Sequence, residues 1–415
     1  MISVLAKSEW MLVSFGLPHQ EEPMTHPLLD QVKASCPDLP DHLLHNLFTT
    51  AQCIYLSRSC NLARAKDFVA QVLGTPQAAK ATPQANYMRL IRTMRDAVSA
   101  EFTDQVQRAL HHFRLAMVSY FPAKAIRGAK ELVLDGTSWS CRDSKVHLMT
   151  LALVIDGVAV PIASIDLAKK GHSSQAERAE LLRRASKDYD LKGMTLLADR
   201  EYVGPDWFTT LAEHEIKFVI RLKAGIYHDA VDGTKGKNWQ QLCRKLRRCK
   251  KKEYVRKCIT LFGQSFYYLI IRNPKAHLPQ EDEFVFLLTS LKRAGRAPRL
   301  YRLRWQIEVT FGHLKLNGFD LEAMRVEGKP KRELLFQLVS LAFIWMSAEG
   351  LRFYRKNPRS RQMKWDGKRK VKTLVHSVFR QGMGWVMGKL AKPAAVLRRI
   401  ASKIGRIDNI PWAHV

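Results

Sequence analysis

The spacing of apolar residues changes twice along this chain, and those changes constrain its fold more than any other sequence feature. Up to about residue 122 apolar residues recur every three or four positions, as in HLLHNLFTTAQCIYL and LARAKDFVAQVLG. That is the helical period, and Gly74 with Pro76 stops the second run. From residue 131 the pattern shifts to short apolar runs. ELVLDGTSW is one, ending at a carboxylate, and KVHLMTLALVIDGVAVPIASIDLA reads as two strands about an Asp156–Gly157 turn. GMTLLADREYV and KFVIRLKAG are two more. Between these strands SSQAERAELLRRASKDY is an amphipathic helix opened by Ser174, with Glu177 three residues on as a capping box. Strands interleaved with a helix predict a multidomain α/β protein. The helical period returns in APRLYRLRWQIEVTFGHLKLN, and the apolar stretch Leu334–Ala348 is short enough to read as a buried helix rather than a membrane span.

These shifts divide the 415 residues into four parts. Residues 1–125 form a helical N-terminal region, and 126–225 with 298–350 an α/β core. A β-rich insertion, 226–297, carries CRKLRRCKKKEYVRK, and a basic segment, 351–415, is expected to be helical. The balance of 46% hydrophobic and 26% charged residues excludes wholesale disorder. The charge is the unusual quantity. Lys plus Arg number 68 against 38 acidic residues, a net +30, and a surface so positive calls for an anionic partner, most often nucleic acid. Residues 351–415 hold 17 Lys/Arg against Asp366 and Asp408, half of that excess. The N-terminal region is nearly neutral, but Arg58, Arg64, Lys66, Lys80, Arg89, Arg92 and Arg95 cluster within it. A helix–turn–helix DNA reader and a plain solvated face both fit that cluster. Seven cysteines without Cys-x2-Cys spacing signal neither a disulfide framework nor a zinc site, which suits reduced thiols in a cytosolic protein.

Asp135 and Asp199 each follow an apolar strand, at the end where α/β sheets gather ligands. Brought together, two carboxylates repel unless a divalent cation holds them. Read singly, each is a turn residue or a helix cap. The helix from residue 300 tips that balance. Tyr301, Arg304, Glu308 and Lys315 fall at roughly 0°, 300°, 340° and 320° around it, on one stripe. A carboxylate flanked by cations suits a site that holds metal and phosphate backbone together. The apolar neighbours Trp305, Ile307, Val309 and Phe311 speak against an ordinary salt-bridge face. The His111–His112 pair reads as structural.

The segments LDGTSW, LLADREY and YRLRWQIEVTFGHLK together resemble the bacterial insertion-sequence-4 family of DDE transposases. Tyr-x2-Arg-x3-Glu-x6-Lys is that family's signature, and Asp-Arg-Glu-Tyr after the second aspartate is typical of it. The likeness covers about residues 130–350 in motif and order, with the β-rich insertion included. It implies an RNase H-like catalytic core in which Asp135, Asp199 and Glu308 are the catalytic, metal-binding triad for two Mg²⁺ or Mn²⁺ ions. Tyr301, Arg304, Lys315 and Arg200 would then contact DNA phosphates. Family members cut and paste through a DNA hairpin with a flipped base held on tryptophan. Trp305 matches one such position, and Trp239 is the insertion's single tryptophan. In-line displacement at phosphorus needs no covalent enzyme–DNA intermediate, so no Ser, Tyr or Cys nucleophile is assigned. The implied partners are double-stranded transposon-end DNA, target DNA and a second copy of the chain, the dimer held by the C-terminal segment around Trp385. No membrane is implied, and the expected place is the bacterial cytoplasm, at the nucleoid. A catalytically inactive, domesticated DNA-binding protein is the competing reading. A stand-alone RNase H-like nuclease would need neither the helical N-terminal region nor the basic C-terminus.

Overall fold

The strand-forming runs build one sheet. The computed structural model describes residues 27–141, 144–223, 239–248, 254–272, 283–316, 318–357, 361–365, 370–374, 376–389 and 410–414. Strands β1 (Glu131–Cys141), β2 (Ser144–Ile155) and β3 (Val158–Asp166) form an antiparallel meander. Its second turn is the expected one. Asp156 and Gly157 both take left-handed backbone, φ 51° and 79°, the two-residue geometry that Asp-Gly favours. β4 (Thr195–Ala198) and β5 (Lys217–Arg221) then add parallel to β1. The helix Gln175–Asp188 connects β3 to β4 and opens on the reciprocal Ser174–Glu177 capping box.

Strands β6 (Tyr254–Leu261), β7 (Gln264–Arg272) and β8 (Phe284–Thr289), from within the 226–297 segment, continue the same sheet. β8 pairs antiparallel with β5, so the spatial order is β3-β2-β1-β4-β5-β8-β7-β6. The chain is therefore a mixed α/β protein around an eight-stranded mixed sheet.

Helices from Pro27 to Gly128 precede the sheet, and one long helix, Lys329–Lys356, follows it. That helix is apolar enough to cross a membrane, yet 94% of its apolar window is buried inside the protein. A helix apolar on every side needs protein on every side. It packs on the helices Asp41–Ser57 and Thr103–Val118, on β3, and on the C-terminal helix Val378–Lys389. Tyr55 and Trp345 stack at 4.4 Å between ring centres. At its start Arg332 Nε donates to Asp166 Oδ2 at 2.6 Å, both side chains buried. The other Asp166 oxygen accepts from the amides of His147 and Ala168, so the buried charge is fully engaged.

Two features depart from the sequence reading. The signature segment is not one helix: a helix Ala297–Tyr301 and a tight three-residue turn, Arg302–Arg304, precede the helix Trp305–Lys315. The C-terminal segment is not all helical either. A ribbon of β9 (Arg361–Trp365) and β10 (Lys370–Leu374) precedes the helix Val378–Lys389. The alternation in RQMKW and KVKTL is the strand period, which the density of cations hides. The side chains of Trp239 and Trp385 and the residues 390–409 lie outside the described residues.

Candidate active site

Strand pairing sets two carboxylates side by side. β1 and β4 are parallel neighbours whose last paired residues are Leu134 and Ala198, so Asp135 and Asp199 come next on adjacent strands. Asp135 does not end its strand; β1 runs on six residues as a ribbon with β2. Glu308 arrives from the first turn of the helix Trp305–Lys315, which packs on β1 and β3. Beside Asp135, Gly136 lets the His147 imidazole lie close to β1, because a Cβ there would strike it.

Arg304 lies among these acids. Its guanidinium is 3.3 Å from Asp135 Oδ2 and makes a short ion pair with Glu308 Oε1 one helical turn on. The Tyr301 phenol donates to Asp199 Oδ1 at 3.4 Å, and its ring centre is 5.8 Å from the Arg304 guanidinium carbon. Five of the residues singled out in the sequence therefore meet: Asp135, Asp199, Glu308, Tyr301 and Arg304. Lys315 stands at the helix's far end. It donates to Ser138 O at 3.0 Å, pairs with Glu322 at 3.0 Å and lies over the Trp139 ring. Trp305, 59% exposed, and Arg200 face solvent.

Burial pushes the Asp135 carboxyl up to about 6, against the pull of the Gly136 amide and Arg304. Glu308 and Glu201 add to the rise. Burial likewise raises the Tyr301 phenol, which stays a donor. The Asp135 shift has a sign that can be tested. The folded chain holds this proton more tightly than the unfolded chain, whose carboxyl titrates near 3.8. Stability in chelator should therefore rise as pH falls from about 6 to 4, and ionised Asp135 should cost about 1–3 kcal/mol at neutral pH. Denaturation of wild type and Asp135→Asn from pH 5 to 8 measures this. The variant should be the more stable at pH 7, with the gap closing toward pH 5; a constant gap would contradict the assignment.

Among the described residues no three His, Cys, Asp or Glu side chains stand close enough together to hold a metal ion. Arg304 instead puts a positive charge between Asp135 and Glu308. The donors themselves are carboxylate oxygens, the ligands that Mg²⁺ and Mn²⁺ take, and a cation stands among them. In donor chemistry, though not yet in spacing, the three carboxylates suit a hard divalent ion.

Sequence reading missed Arg178. It is 4% exposed and holds the loop that carries Asp199. Its guanidinium donates to Ser173 Oγ at 2.9 Å, Ser173 O at 2.8 Å and Glu201 O at 2.9 Å, and lies over the Tyr202 ring. The signal was present. Arg178, Leu181, Leu182 and Ala185 form the helix's buried stripe, and an arginine on an apolar stripe must have buried acceptors.

A family model described as "Transposase DDE domain" matches residues 127–345. No curated protein matches the chain. Among solved structures the chain is similar to one titled "Cryo-EM structure of piggyBac transposase synaptic complex with hairpin DNA". The match has 10% identity and a TM-score of 0.39, and covers 92% of this chain and 82% of that one. That likeness is too distant to relate individual residues.

Proposed function

The chain belongs to the transposase DDE domain family, and from that premise we propose that it cuts DNA at the ends of a mobile element and joins the 3′ ends to new DNA. The observation that carries this reading is the pairing of Asp135 and Asp199 on adjacent parallel strands, with Glu308 of the signature helix linked to Asp135 through Arg304. The order β3-β2-β1-β4-β5 supports an RNase H-like core. The Tyr-Arg-Glu-Lys spacing supports the insertion-sequence-4 group.

Asp135, Asp199 and Glu308 would hold Mg²⁺ or Mn²⁺, which when bound supplies the positive charge that phosphoryl transfer requires. Arg304, released from its carboxylates, offers a planar fork to two phosphate oxygens. Tyr301 keeps its proton and orients Asp199. Lys315 and Arg200 bind backbone phosphate without reading sequence. Exposed Trp305 gives an unstacked base an aromatic surface, which supports a hairpin route. A second copy of the chain, engaged through the basic C-terminal segment, would bring two ends together.

End-labelled duplexes carrying the element's terminal repeat and its flank test the reading on denaturing gels. With Mg²⁺ or Mn²⁺ the expected products are a nick followed by a hairpin, and chelator abolishes both. Trp305→Ala should accumulate the nick without the hairpin. Tight binding with no cleavage in either metal would favour the domesticated DNA-binding protein, and cutting in chelator would exclude the carboxylate site.

A further inference from the structure

Away from the carboxylates, three distant stretches of chain meet around a basic groove. Two adjoining cavities of about 460 and 320 Å³ share Arg58 and Met383 in their walls. The first also takes His376 and Arg380, and the second takes Arg64, Asp320 and Leu316. Three guanidiniums thus face the groove against one carboxylate, which Arg64 meets at a distant 3.7 Å. Arg58 and Arg380 are exposed and have no acidic partner among the described residues.

The groove is built rather than incidental. Cys60 N donates to Phe319 O at 2.8 Å and Cys60 Sγ to Asp320 O at 3.1 Å, which fastens the 57–60 turn to the loop after the signature helix. Phe379 packs on Phe319, Phe343 and His313 beneath it, and the Tyr354 hydroxyl bonds both the amide and the carbonyl of His376. Arg58 holds left-handed backbone at the end of the helix Asp41–Ser57, φ 51°. That is a common way for a helix to end, and it turns the chain at the groove's edge.

We propose that this groove binds the sugar–phosphate backbone of duplex DNA, as a second contact beyond the cleavage site. Its guanidiniums are spread along two cavities instead of converging on one point, which suits a string of phosphates better than a small anion. Its position agrees. The groove begins at Leu316, directly after Lys315, and Glu308 lies about 12 Å back along the same helix. For a duplex running along that helix, at one charge per roughly 3.4 Å of each strand, the nearest contacted phosphate lies about three to four nucleotides from the cleaved bond. Leu316, 81% exposed, supplies an apolar lip against the sugars.

The inference rests on the proposed function only for naming DNA as the partner, and its test needs no cleavage. The full chain is titrated against a fluorescent mixed-sequence duplex of 30 base pairs at several salt concentrations, with melting curves as the check on folding. Arg58→Asn removes the charge and keeps a residue that accepts the left-handed backbone; Arg380→Gln removes the second charge. Each should lower the salt slope of binding by about 0.9 and the pair by about 1.8, while Arg58→Lys restores it. Arg183→Gln, whose side chain is engaged by Glu180 on another face, should leave the slope unchanged. An unchanged slope in the double variant overturns the proposal, as does displacement of the duplex by inorganic phosphate at constant ionic strength. Asp135→Ala separates the two readings, since it should lose cleavage and keep the slope.

Discussion

Replacing any one of Asp135, Asp199 or Glu308 by Ala is expected to slow end cleavage by roughly 10³-fold or more, about 4 kcal/mol of barrier, and to leave end binding as tight as in wild type or tighter. The two effects differ because the groups do different things. In the proposed site each carboxylate would supply oxygen donors for a divalent ion, so its loss would fall on the chemical step. Affinity for DNA would come from Lys and Arg on phosphates, and removing Asp135 or Glu308 takes a negative charge away from Arg304, which favours phosphate there. Single-turnover cleavage and anisotropy on the same duplex read the two separately. Binding and cleavage falling together in all three variants would mean these residues hold the fold. Wild-type cleavage by any one of them would remove it from the site.

Gly350→Ala is expected to destabilise the chain by about 2–3 kcal/mol, although alanine is the better helix former by about 1 kcal/mol. Two helices decide the sign. Gly350 on the long helix and Gly382 on the C-terminal helix lie at a crossing so close that a Cβ on either would overlap a backbone carbonyl of the other, Val378 O or Met346 O. Backbone cannot rotate away as a flexible side chain can, so the overlap displaces the whole C-terminal helix. Urea unfolding of the variant, beside Gly384→Ala where a Cβ meets nothing, measures the difference. Equal or greater stability in Gly350→Ala would show that the crossing is looser than described.

The parts of this molecule that were legible in its sequence are the ones governed by neighbours along the chain. The Asp156–Gly157 turn, the Ser174–Glu177 box and the buried helix around Leu334–Ala348 each depend on a few adjacent residues, and each formed as read. The two aspartates stood out because they follow apolar runs, and the parallel β1–β4 register then made them neighbours. The position of Arg304 between Asp135 and Glu308 was not legible, since a helical stripe gives a direction and not a partner. The turn at Arg302–Arg304 altered even the stripe. Arg178 was legible as a cation on an apolar stripe, but two of its three acceptors are backbone carbonyls, so the sequence could not say what it holds. The groove around Arg58 and Arg380 escaped because its walls come from opposite ends of the chain.

The long buried helix also sets an order of assembly. All the carboxylates of the candidate site are encoded by Glu308, but the helix that fills the space between β3 and the N-terminal helices begins only at Lys329. Tyr55 must wait for Trp345 to cover it. At roughly 5–20 residues per second a ribosome releases those two rings some 15 to 60 s apart. During that interval the faces of the helices Asp41–Ser57 and Thr103–Val118 that meet the long helix lack their cover, so truncation before Lys329 is expected to leave them exposed. The chemistry of this protein is written into the chain before its stability is.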